Sequence, residues 1–351
     1  MKKLRFGGAL CLWAVGLALL QTLLCPKYVT SFPEGSLTGE YYANAGHNDV
    51  IFLGDCEVYE NFSPVTLWEE YGISSCIRGS AQQTLWQSYY LLEETFRYDS
   101  PKVVVFNVLA MKYDTPESTG SAARREAYNR MTLDTMRWSS SKWNAILASM
   151  TKEEIAWDSM FTYLFPILRY HDRWDQLTRE DIVCFFSRDT VSYNGYLMQT
   201  GVKPVTADFA EPPLVEKDFG ENAWYYLNEI TELCGEKGAE LVLTKAPSLS
   251  PVWWDAWDSR IREFAEEKGL RYLNLLDAQE EIGLDWSRDT YDGGLHLNVS
   301  GAEKASRWIG RILANDCKVP DRREDRQFAA LWEEKVTKYY EQKEGLTNEG
   351  V

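Results

Sequence analysis

Two short stretches carry residues able to act as a nucleophile and its base. Gly54-Asp55-Cys56 closes an apolar run near the N-terminus, and Asp292-Gly-Gly-Leu-His296-Leu-Asn298 lies near the C-terminus. The chain has only three histidines. Imidazole is the one side chain whose unperturbed pKa suits proton transfer near neutral pH, so His296 is the leading base. Cys56 follows Asp49-Val-Ile-Phe-Leu-Gly54, a buried-strand pattern stopped by glycine, and should emerge at the strand's C-terminal edge. Ligand sites of open α/β sheets gather at that edge. His171, in Leu168-Arg-Tyr-His171-Asp-Arg-Trp174, reads as a packing or ion-pairing residue.

These groups need a scaffold that brings distant segments together. Runs at 49–54, 101–107, 240–245 and 271–275 read as strands, the second continuous in apolar residues as parallel strands are. Between them, 63–71, 82–98, 222–237, 253–268 and 300–313 read as helices, the first with Ser63-Pro64 as cap and first residue. Strands alternating with helices imply right-handed crossovers and a parallel sheet covered on both faces. Arg78-Gly79-Ser80 reads as a glycine turn. The stretch from 112 to about 220 loses the strand pattern and is rich in Trp, Met and Arg, so it reads as a helical inserted cap. The charged tail at 316–351 reads as a surface helix.

Lys2-Lys3-Leu4-Arg5 precedes an apolar run over 6–26, about the ~20 residues a bilayer span requires. Thr22-Leu23-Leu24-Cys25-Pro26 lacks the small-residue exit of a cleaved signal peptide. The run therefore reads as an uncleaved signal anchor with residues 1–5 as a cytoplasmic stub, a linker at 27–48, and the body at 49–315 outside the membrane. The 351 residues, 45% hydrophobic and 26% charged, suit a folded globular body. A net charge of -16 argues against nucleic acid as partner. Seven cysteines without a C-x-x-C pair indicate neither a zinc site nor a disulfide framework. Cys184, Cys234 and Cys317 read as small hydrophobes. Cys76 is a possible disulfide partner for Cys56 in an oxidising exterior.

Gly54-Asp55-Cys56, then Gly79 with Asn107, then Asp292 with His296 follow the chain order of the SGNH (GDSL-like) hydrolases, and the chain resembles that family over roughly 49–315 apart from the cap. It also resembles the membrane-anchored branch related to D-alanyl transfer proteins and exopolysaccharide O-acetyltransferases. The resemblance implies a three-layer α/β/α sandwich with a central parallel sheet, SGNH or flavodoxin-like, and needs no cofactor or metal. It further implies Cys56 as nucleophile, His296 as base, Asp292 as its orienting carboxylate, and an oxyanion hole from the Cys56 and Gly79 N-H groups and the Asn107 amide. Two departures stand out. Cysteine occupies the serine position, and Asp292 precedes His296 by four residues where the family has three. A thiolate is itself nucleophilic, and Gly293-Gly294 can loop out one residue because glycine tolerates positive φ. Asp289 is the alternative orienter.

The implied activity is an extracytoplasmic esterase or O-acyltransferase on acylated cell-envelope glycans or small esters, through a thioester, with a membrane-bound acyl-transfer protein as possible partner. Asp55, Trp253 and Trp254 are candidate substrate contacts, although core packing is the ordinary use of tryptophan. A catalytically silent module that binds glycan or protein, and a thiol peptidase using Cys56, His296 and Asn298, are the competing readings.

Overall fold

A computed structural model describes residues 2–26, 41–42, 45–187, 193–206, 209 and 218–349, with the side chains of 2–6, 180, 183–184, 187 and 346–349 left aside. Parts of the expected stub at 1–5 and linker at 27–48, and the Cys184 side chain, lie outside the described residues.

Five parallel strands form the sheet: β1 (Val50–Gly54), β2 (Ser75–Gly79), β3 (Val103–Asn107), β4 (Glu240–Lys245) and β5 (Arg271–Asn274), in the order β2-β1-β3-β4-β5. The chain is thus an α/β protein, and β1, β3, β4 and β5 fall on the four expected runs. Leu53, Val104, Phe106 and Leu243 pack into one core, whereas Val50, Phe52, Val105 and Val242 pack into another. Alternate residues of β1, β3 and β4 are therefore buried on opposite faces, which explains the apolar runs of these strands. This strand order reverses at β1 and β3, opening a crevice beyond their C-terminal ends.

The helices are α1 (Lys2–Leu24), α2 (Cys56–Asn61), α3 (Pro64–Tyr71), α4 (Leu85–Thr95), α5 (Ala122–Leu133), α6 (Ser140–Ala148), α7 (Trp157–Leu164), α8 (Ile167–Tyr170), α9 (Arg179–Ser187), α10 (Glu221–Lys237), α11 (Asp255–Lys268), α12 (Gln279–Ile282), α13 (Val299–Asn315) and α14 (Arg326–Glu349). Helix α1 is long and apolar enough to cross a membrane. Ser63 caps α3 through a 3.2 Å bond from Thr66 N, with Pro64 at the first helical position, as the Ser-Pro pair predicts.

Three features depart from the sequence reading. Residues 75–79 make an edge strand, not only a turn. Arg78 on it is fully buried, paired with Glu94 at 2.9 Å and covered by the Tyr41 ring at 4.1 Å. With Cys76 and Ile77 its only sizeable apolar residues, β2 carries no apolar run to announce it. Second, α5 to α9 do form a helical stretch, but 193–206 runs along the body: Ile77 N donates to Asn194 O at 2.8 Å, Leu197 N to Tyr59 O at 2.8 Å and Lys203 N to Thr290 O at 2.9 Å. Third, α14 buries Trp332, which stacks on Trp68 of α3 at 5.3 Å and donates to Ser74 Oγ at 3.1 Å. The tail is thus a packed element with one charged face.

Gly54 makes the turn from β1 into α2 at φ +155°, where a Cβ would lie 2.6 Å from Val58 Cγ2 and 2.9 Å from the Asn107 Cβ. Gly54→Ala is expected to destabilise the fold by about 1–3 kcal/mol through strain and overpacking, read as a lowered urea midpoint with unchanged slope.

Candidate active site

Asp55 caps α2, its carboxylate accepting from Glu57 N at 3.2 Å, so Cys56 is the first helical residue at the C-terminal end of β1. Its backbone N-H belongs to the group that a helix start leaves without an intrahelical acceptor. From the other end of the chain, the 290–298 loop is closed by a bridge between Thr290 and Leu297. Asn61 of α2 then fixes this loop: its Oδ1 accepts from Leu297 N at 2.8 Å while its Nδ2 donates to Pro247 O at 3.1 Å. These contacts bring His296 and Cys56 to one cavity wall, close enough that each shifts the other's protonation.

Asp292 Oδ2 holds His296 Nδ1 at 2.7 Å, and its Oδ1 accepts from His296 N at 2.9 Å and Leu295 N at 3.2 Å. The four-residue spacing is absorbed by Gly293 and Gly294 at φ +86° and +99°. With Nδ1 occupied, Nε2 is left for the thiol. Asp289 is engaged elsewhere, bonded to Lys304 Nζ at 2.6 Å and Asp285 N at 2.8 Å. Cys76 is buried on β2 beside Ile51 and packed with Tyr41, outside any disulfide. Ile51 lies three residues before Gly54, about 10 Å along the strand from the edge where Cys56 emerges. A disulfide between the two does not form. His171 is exposed at the end of α8, its Nδ1 3.1 Å from Leu168 O.

Cys56, Asp55, Asp292 and His296 line one cavity of about 500 Å3, with Tyr113, Arg124 and Tyr128 among the groups facing them. Gly79 and Asn107 do not line it. Asn107 is fully buried and spends its amide inward, donating to Asp55 Oδ1 at 3.3 Å and Glu57 Oε2 at 3.0 Å, while its Oδ1 accepts from Ala246 N at 3.0 Å. Two buried carboxylates need donors, and Asn107 supplies them instead of pointing at a reacting oxygen. The loop after β2 reaches the cavity with Ala81 and Gln82. Gln82 is a non-glycine residue at φ +54°, held by Nε2 donating to Thr119 O at 2.8 Å and Oε1 accepting from Arg124 Nε at 3.2 Å. Trp253 is buried against Phe219 and Trp257, and Trp254 packs on Trp257, so neither meets the cavity. Ser250 and Pro251 take that place.

An acidic shell that the sequence reading missed surrounds the sulfur. Glu57 is buried in a pair with Lys245, both carboxylate oxygens 3.0 Å from Nζ, and Ser248 adds a further 3.0 Å contact to that nitrogen. Glu60 lies 3.6 Å from His296 Nδ1 and accepts from the Tyr291 hydroxyl at 2.5 Å. Tyr291 stacks nearly parallel on the imidazole at 6.1 Å. The one sequence signal was a lysine ending the apolar run of β4.

Burial, reinforced by the Asp55 charge, pushes the Cys56 thiol up to about 11, although the neighbouring His296 opposes the shift. Burial disfavours the His296 imidazolium, but Asp292, with Cys56 and Glu60 behind it, outweighs that and raises its pKa. Asp55 is raised by burial and by Glu57. The resting pair is thus a thiol beside an imidazolium, and losing one proton gives a thiolate-imidazolium pair. Alkylation of Cys56 by iodoacetamide is therefore expected to accelerate about tenfold per pH unit from roughly pH 7 to 10, since the thiolate is the reacting form. A rate already flat below about pH 8 would contradict the raised thiol.

No protein-family model matches this chain, and no curated protein matches it.

Proposed function

We propose that this chain is a membrane-anchored SGNH-like esterase or O-acyltransferase with Cys56 as nucleophile, His296 as acid and base, and Asp292 as orienter. The observation that carries this is the convergence of Cys56 with the bonded pair His296 and Asp292 on one cavity at the β1 edge, from chain ends some 240 residues apart. Core clusters on both sheet faces support the three-layer α/β/α arrangement. The basic residues ahead of α1 support an N-terminus in the cytoplasm and a catalytic body outside.

The reactive form is the ion pair. The Cys56 thiolate attacks the ester carbonyl, and the His296 imidazolium gives its proton to the departing alcohol, leaving a thioester and a neutral imidazole. His296 then takes a proton from water or from an acceptor hydroxyl as that oxygen attacks, and thiolate and imidazolium are restored. The Cys56 N-H and the loop at Ala81 and Gln82 stand where charge develops on the carbonyl oxygen. Tyr113, Tyr128 and Tyr291 give the cavity aromatic faces and hydroxyls suited to a sugar, and they fill the role expected of Trp253 and Trp254.

Incubation of the full chain with p-nitrophenyl acetate, followed by peptide mass spectrometry, tests this. An acetyl thioester on Cys56, sensitive to hydroxylamine and missing in His296→Ala, is the expected result. Equal acetylation with and without His296 would favour the silent binding module, a reading that the raised thiol makes the natural competitor.

A further inference from the structure

We propose that the face of the cap formed by α7, α8 and α9 is a membrane-docking surface, seated in the interfacial zone of the bilayer that α1 crosses. This rests on reading α1 as a membrane span. Large apolar side chains are exposed together here: Trp157 at 70%, Phe161, Phe165, Leu168, Trp174 and Phe186 at 81%. The rings are continuous. Trp157 to Phe161 is 6.0 Å and Phe161 to Phe165 is 6.1 Å between centroids, and α8 begins two residues later. Soluble surfaces rarely leave such a run uncovered.

The position of α1 identifies what covers it. Both α8 and α9 pack on α1. Arg173 Nη1 donates to Leu24 O at 2.5 Å, Ile167 N donates to Gln21 Oε1 at 3.4 Å, and the Leu24 side chain is buried. All three contacts fall on the last turn of the apolar stretch Gly7–Leu24. At 1.5 Å per residue its 18 residues run about 27 Å, close to the ~30 Å hydrocarbon core. The segment 167–173 held on its final turn therefore sits at the depth where tryptophans concentrate, and where interfacial helices bury an apolar face. A soluble partner would have to displace lipid from a surface that flanks the span itself.

The consequence for the site is proximity. Helix α5 gives Arg124 and Tyr128 to the cavity. The same helix meets the docking layer, with Arg130 Nη1 donating to Thr162 O at 2.8 Å and Tyr170 OH donating to Asp134 at 2.8 Å. One helix, about 10 Å thick, thus separates the cavity from the membrane-facing layer, so a donor or acceptor held at the bilayer surface is within reach.

The test uses the full chain reconstituted in phosphatidylcholine vesicles with p-benzoylphenylalanine replacing Phe161, Phe186, Leu12 or Tyr225 in turn, all exposed positions. On illumination, lipid adducts at Phe161 and Phe186 are expected at about tenfold the level at Tyr225, which is exposed on α10, and comparable with Leu12 inside the span. Adducts at Leu12 with only the Tyr225 level at Phe161 and Phe186 would overturn the docking surface. Loss of adducts at Leu12 as well would overturn the anchor on which it rests.

Discussion

Cys56→Ala and His296→Ala are each expected to lower kcat for ester turnover by about 10^4 to 10^6, and the double variant to do no more harm than either single change. The reason is geometric. In the proposed mechanism the thiolate forms beside the imidazolium, which Asp292 orients at 2.7 Å, so removing any one member disables the unit. Asp292→Asn should cost about 10^4, because the amide can present the wrong partner to Nδ1 and fix the wrong tautomer. Steady-state release of p-nitrophenol, measured at several pH values, reads all four variants. A double variant whose loss equals the product of the two single losses would show that the sulfur and the imidazole act independently, and the assigned mechanism would fail.

Lys245→Met is expected to destabilise the folded chain by about 3–5 kcal/mol. Lys245 and Glu57 are both buried, the ammonium 3.0 Å from each carboxylate oxygen, with Ala246 O and Ser248 Oγ as its remaining partners. Removing the lysine leaves an uncompensated carboxylate in a site already crowded by Asp55, which is a large cost, whereas removing both charges is a small one. The double change Lys245→Met with Glu57→Leu should therefore recover most of the loss in urea denaturation. Failure of the double variant to recover would mean that the lysine matters through its bonds to Ala246 and Ser248, not through the charge pair. Activity should fall in both cases, because Glu57 also receives the Asn107 amide that braces the turn carrying Cys56.

The acidic shell gives the thiol its character. Cysteines that react fast at neutral pH sit in electropositive surroundings. Cys56 instead faces Asp55 and Glu60, and the His296 beside it is already bonded to Asp292.

Local pattern carried the parts of this protein that local physics decides. Strands β1, β3 and β4 are legible because the middle of a strand buried on both faces must be apolar, and Val103-Val-Val-Phe106 can do little else. The apolar α1, the Ser63-Pro64 helix start and the glycine pair that lets Asp292 reach His296 are likewise written in a few adjacent residues. What only the tertiary structure decided are contacts between segments with no shared local signal: Asn61 gripping the His296 loop, Lys245 reaching Glu57, Asn107 turning inward to two carboxylates, and Trp332 closing on Trp68. Strand β2 belongs with these, since its buried arginine is tolerable only once Glu94 and Tyr41 stand beside it. A charge in a protein interior is stabilised by partners from anywhere in the chain, and no short window of sequence records who they are.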